Sequence, residues 1–185
     1  EYMLKYHKRR ILDGDTANLS IGQGSLLASP LQVAQAMAGI ANGGAGLGVS
    51  GWGVVANNFC ASNNYGGLAA GRSVASPLLV LSNRSLANAR YGLWCGGGDS
   101  TNTAVRDNVV NGTAGFGIEA NRCGPVTGNL VSSNSAEGII LEYALFAARN
   151  VVMDNGGHGI SGWSGMVITN NLVVRNGDTA GEYNI

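Results

Sequence analysis

Glu119 and Glu142 are the carboxylates whose placement bears most directly on chemistry, and around them stand Trp94, Asn121, Arg122, Tyr143 and Trp163. Two carboxylates on one face support glycoside hydrolysis, or they accept hydrogen bonds from sugar hydroxyls. Indole and phenol rings offer flat faces on which the apolar side of a sugar stacks. The expected partner is therefore a polysaccharide or other glycan. The glycan-binding set is Trp94, Glu119, Asn121, Glu142, Tyr143 and Trp163, and Glu119, Glu142 and Arg122 are the catalytic candidates.

The other reactive residue types make weaker patterns. His158 sits in Gly156-Gly157-His158-Gly159 and reads as a solvated turn residue. Asp99, Asp107 and Asp154 fall at different points of the repeat described below, so no metal site is expected. The three cysteines, Cys60, Cys95 and Cys123, form neither a C-x-x-C motif nor an even set, which argues against zinc and against a disulfide framework. No cofactor is expected. Eleven Lys and Arg against eleven Asp and Glu leave no net charge, which removes bulk nucleic-acid binding. No apolar run approaches the roughly 18 residues of a spanning helix, so no membrane insertion is expected.

What must position the candidates is a repeat. Asn58, Asn83, Asn108, Asn129, Asn150 and Asn171 are spaced by 25, 25, 21, 21 and 21 residues. Five positions later come Asn63, Asn88, Thr113, Asn134, Asn155 and Asn176, and nine positions after the anchor Gly67, Gly92, Gly117, Gly138 and Gly159, each followed by Leu or Ile. Val55, Val80, Val105, Val126, Ala147 and Ile168 precede the anchors by three. A unit of 21 residues is too short for two helices, whereas short β-branched runs broken by Asn and Gly read as strands and tight turns. Each unit is then one coil of an all-β solenoid, with like residues stacked about 4.8 Å apart and asparagine amides bonding up the axis.

The pattern N-x-V-x-x-N-x-x-x-G-[IL] resembles the parallel β-helix repeat of right-handed β-helix proteins with the pectin-lyase-like fold. The resemblance implies a right-handed parallel β-helix of about six coils over residues 53–185. Counting alternation from each Gly-[Ile/Leu] pair points Ala70, Cys95, Ala120 and Leu141 inward and Trp94, Glu119, Asn121, Glu142 and Trp163 outward, with Arg122 and Tyr143 just beyond. Glu119 and Glu142 lie two positions out of step on adjacent coils, with Cα atoms about 8 Å apart. The first two units carry four extra residues after this strip, as loops that would wall a groove. Cys60 and Cys95 face inward, and Cys123, in a turn, is expected to be exposed.

Residues 1–44 share no register with the repeat. Residues 17–22 read as a strand, and Ser29-Pro30-Leu31-Gln32 starts a helix over 30–42 that Gly43 and Gly44 end. The helix would cap the solenoid. Gly14-Asp15-Thr16-Ala17-Asn18-Leu19-Ser20-Ile21-Gly22-Gln23-Gly24, together with Ser29-Pro30-Leu31-Gln32 and Ala41-Asn42-Gly43-Gly44, resembles the transpeptidase domain of class B penicillin-binding proteins. That family acylates a serine in S-x-x-K, assisted by S-x-N and K-T-G. With Lys only at 5 and 8, this chain has neither lysine motif, and Ser132-Ser133-Asn134 belongs to the β-helix register. The first 44 residues read as a segment of such a domain without its chemistry, joined through a glycine-rich junction at 45–52. The chain does not begin with Met and its repeat stops in mid-pattern at Ile185, which reads as a fragment.

The sequence thus leads to a non-catalytic β-helix module that binds carbohydrate or serves structurally. The alternatives are a polysaccharide lyase, hydrolase or epimerase, and a piece of a peptidoglycan-synthesis protein. Both resemblances imply the cell envelope, periplasm or exterior.

Overall fold

The computed structural model describes residues 45–71, 77–96, 103–144, 146–163 and 166–177. The strand at 17–22 and the helix at 30–42 lie outside these residues.

Three short strands make each coil. The first coil is β1 (Ala45–Ser50), β2 (Gly53–Ala56) and β3 (Phe59–Ala61), and the second β4 (Gly66–Gly71), β5 (Leu78–Leu81) and β6 (Arg84–Leu86). Then follow β7 (Tyr91–Gly96), β8 (Ala104–Arg106) and β9 (Val109–Asn111), and β10 (Phe116–Asn121), β11 (Pro125–Thr127) and β12 (Leu130–Ser132). The last two coils are β13 (Ile139–Glu142), β14 (Phe146–Ala148) and β15 (Val151–Met153), and β16 (Ile160–Trp163), β17 (Val167–Thr169) and β18 (Leu172–Val174). Corresponding strands pair in parallel and in strict order, giving three six-stranded sheets around one core. The expectation of an all-β solenoid of about six coils holds. The segment 45–52, read from sequence as a junction, instead supplies β1, whose Leu47 stands against Leu68. Glycine richness there marks a strand with a bare outer face.

The predicted columns are the core. Leu68, Leu93, Ile118, Ile139 and Ile160 stack inside one sheet, Val80, Val105, Val126 and Ala147 inside the second, and Val110, Val131 and Val152 inside the third, all almost wholly buried. Gly117 turns the corner into the first sheet because nothing larger fits: a Cβ there would stand 2.4 Å from Val131 and 2.5 Å from the Gly138 carbonyl oxygen.

The asparagines hold the corners. In the first column Nδ2 donates to Oδ1 of the next coil from Asn58 through Asn171 without a break, at 2.8–3.0 Å. Each accepting Oδ1 also takes the backbone N–H of the donor residue, as Asn150 does from Asn129. The second Nδ2 proton goes to a strand carbonyl on the preceding coil, as from Asn150 to Val126. From Asn83 to Asn150 these amides are buried and bonded, the condition on which a buried polar group stabilises.

Asn tolerates the left-handed conformation better than most residues, yet the column asparagines are not among the residues of positive φ. The strained position is the residue before each column. Ser82, Asp107, Arg149 and Asn170 precede first-column asparagines with φ of 53–56°, and Ser62, Ala87, Ser133 and Asp154 precede the second column with φ of 50–56°. Such conformations cost a non-glycine residue roughly 1–2 kcal/mol.

The second column breaks at Thr113. Its Oγ1 is a buried side-chain atom without a hydrogen-bond partner, and Asn88 donates to the Ser85 hydroxyl and the Cys60 carbonyl instead. Replacing Thr113 by Asn should rejoin the column and raise stability by about 1 kcal/mol in urea unfolding, whereas Asn150→Ala, which strands several buried groups, should lower it by about 3 kcal/mol.

Candidate functional site

The outer face of the first sheet consists of columns set by the pairing register. One runs Ala69, Trp94, Glu119, Ile140, Ser161, and the next Gly71, Gly96, Asn121, Glu142, Trp163. Ala70, Cys95, Ala120 and Leu141 between them are buried, as alternation requires. The carboxylates are two positions out of step, because Glu119 faces Ile140 and Glu142 faces Asn121.

Trp94 and Glu119 come together. The indole Nε1 donates to Glu119 Oε1 at 3.2 Å, and the ring lies close over the sheet because Gly96 has no side chain: a Cβ there would stand 2.8 Å from the indole. Tyr91 lies over Gly66 in the same way and is only 8% exposed. Phe116 stacks on Tyr91 with centroids 5.9 Å apart and planes at 15°, and Tyr65 meets Tyr91 edge-on at 5.5 Å. Arg90 closes the rim, its Nη1 donating to the Tyr65 hydroxyl at 2.7 Å and its guanidinium 4.8 Å from that ring's centroid. Tyr65, Arg90, Tyr91, Trp94, Phe116 and Glu119 line a hollow of about 230 Å³.

Glu142 accepts a short hydrogen bond from Asn121 Nδ2, and Arg122 stands 5.8 Å from the centroid of the Tyr143 ring. Trp163, level with Glu142 one strand on, is 64% exposed. It lies three coils from Trp94, about 14 Å along the axis, and outside the hollow. The sequence therefore placed two of the six lining residues. It missed Tyr65, Arg90, Tyr91 and Phe116, although the signal was present: Tyr91 and Phe116 directly precede the corner glycines Gly92 and Gly117 on successive coils, and Arg90 follows Tyr65 by 25 residues. The extra loops expected to wall the groove lie mostly outside the described residues.

A right-handed β-helix family model matches residues 31–172. The chain belongs to the right-handed β-helix family. Comparison with curated proteins and with solved structures returned no match. The family match begins at residue 31, inside the stretch read as a helix from sequence, and continues through five complete coils.

Within this β-helix, partial burial pushes the Glu119 carboxyl up from its ordinary value; the Trp94 hydrogen bond opposes the rise, the Glu142 charge adds to it and Arg90 opposes it. The Tyr91 hydroxyl is raised first by burial and then by Tyr65. Cys123 is a correction, since it is buried, with Sγ against the Cys95 carbonyl oxygen at 3.3 Å. Cys60 is pushed up to about 11 by burial, which leaves it a core residue and no nucleophile. Asp154 is taken up by Arg175, whose Nε donates to Oδ1 at 2.6 Å, and Asp107 lies at a different corner. Among the described residues no three metal-ligating side chains cluster.

These causes can be separated by carboxyl-resolved NMR titration. Glu119 should titrate above the ordinary glutamate range, Glu142→Gln should lower its midpoint, and Trp94→Phe, which removes the donor, should raise it. Because the folded form holds its proton to higher pH than the unfolded chain, ionisation of Glu119 should reduce stability as pH rises through the interval between the two midpoints, a slope absent in Glu119→Gln.

Proposed function

We propose that this β-helix is a non-catalytic carbohydrate-binding module acting at the cell envelope or outside the cell, with the Trp94–Glu119 hollow as its principal subsite. The observation that carries the reading is the combination of aromatic faces with a carboxylate aimed into the same hollow. The indole is held flat by its bond to Glu119, so a stacking sugar meets a surface already ordered and loses little affinity to side-chain ordering. Glu119 accepts from Trp94 through Oε1, and its second oxygen remains an acceptor for a hydroxyl. Trp163, further along the same face, would serve a longer chain as a separate platform.

A polysaccharide-processing reading rests on two neighbouring carboxylates, Glu119, raised from its ordinary value by burial, and Glu142, whose charge adds to that rise. In that case Glu119→Gln abolishes turnover of a bound glycan while leaving the fold intact.

Tryptophan fluorescence or calorimetry against defined oligosaccharides tests the binding reading. Trp94→Ala should weaken binding about tenfold, near 1.4 kcal/mol. Trp163→Ala should weaken long oligosaccharides and leave short ones unchanged. A flat response across neutral, acidic and basic glycans would overturn the proposal.

A further inference from the structure

The outer face of the first sheet carries two carboxylates beside aromatic rings. Glu119 and Glu142 project from adjacent strands, and each is oriented by a neutral donor, the indole of Trp94 and the amide of Asn121. A neutral donor fixes a carboxylate without cancelling its charge. Among the described residues neither glutamate makes an ion pair.

Arg90 bears on Glu119 through its charge, but its hydrogen bond goes to a tyrosine. Arg90 sits over the Tyr65 ring and bonds its hydroxyl, at the opposite rim of the hollow from the strand carrying Glu142. Arg122 lies over the Tyr143 ring. Each therefore has an aromatic face of its own. Glu119 meanwhile feels Glu142 as a like charge. The Trp94 and Phe116 rings present π-faces, which attract cations as well as apolar sugar surfaces.

Resting on the glycan reading above, we propose that the ligand is a glycan of amino sugars bearing free, protonated amines, with the ammonium seated between the aromatic rings and the Glu119–Glu142 pair. An ammonium there would relieve the mutual repulsion of the two carboxylates and gain cation–π attraction from the neighbouring rings, whereas a uronate-rich chain would add a third negative charge. The sugar ring itself still needs the flat Trp94 face, so a cation without a sugar lacks half of the recognition.

The test compares chitosan oligosaccharides with fully N-acetylated chitin oligosaccharides of equal length, with oligogalacturonate and with polylysine. It uses the full chain at a pH where the amines are protonated and the glutamates ionised. Chitosan oligosaccharides should bind at least tenfold more tightly than their acetylated counterparts, and that preference should shrink as salt is raised. Glu119→Gln and Glu142→Gln should each remove most of the preference, chitosan losing more affinity than the acetylated oligosaccharides do, with melting curves confirming that both variants fold. Equal affinity for acetylated and deacetylated chains, or tighter binding of oligogalacturonate, would overturn the amine assignment and leave the glycan reading standing. Polylysine binding as tightly as chitosan would overturn the sugar component of the assignment. Failure of every saccharide to bind would remove the glycan reading itself.

Discussion

The buried amide columns are the constraint on which the rest of the structure depends. An asparagine side chain inside a protein is expensive unless each polar atom is bonded, and here the bonds can be made only if every coil presents its asparagine at the same height as the coils on either side. The 25- and 21-residue units both satisfy this, and in both the two asparagine columns stay five residues apart. Loss of register at one corner would strand donors and acceptors on two neighbouring coils. The columns thus convert a repetitive sequence into one fixed alignment, a task that valine stacking, being nondirectional, performs less selectively.

The same constraint explains why the corners tolerate strained backbone. Ala87 and Arg149 adopt left-handed conformations without the help of a glycine, each just before an asparagine that is buried and bonded. The local cost is offset at the next residue. Corner geometry is consequently set by the stack as a whole, and single-residue preference has little say in it. The periodicity of the asparagines located the corners, while the positive φ angles fall on the residues just before them.

Legibility in the sequence follows from this division. Inward residues repeat because the core demands it, so Leu93, Ile118, Ile139 and Leu141 could be assigned to the interior by counting. Outward residues are free to vary. Counting forward from the glycine column found Trp94 and Glu119, but Tyr91 and Phe116 lie on the other side of that column, at a corner where simple alternation does not predict direction. Cys123 failed for a related reason: it follows a left-handed residue, Arg122, and the turn swings its side chain inward. Residues 45–50 read as a linker because their outward positions are small, which described the bareness of the face correctly and its secondary structure incorrectly.

That bareness bears on how a chain-like ligand would lie. On the first two strands the outward positions are Gly48, Ser50, Ala69 and Gly71, and bulk begins abruptly with Tyr91 and Trp94 on the third. Beyond it the outward column of Gly96 continues as Asn121, Glu142 and Trp163. Polar and aromatic groups therefore succeed one another along the solenoid axis at the spacing of the coils, about 4.8 Å. A stacked strand fixes that spacing more firmly than a loop would, and a polymer laid along the axis would meet one outward group on each coil it crosses. The repeat supplies the ruler, and the departures from the repeat supply the chemistry.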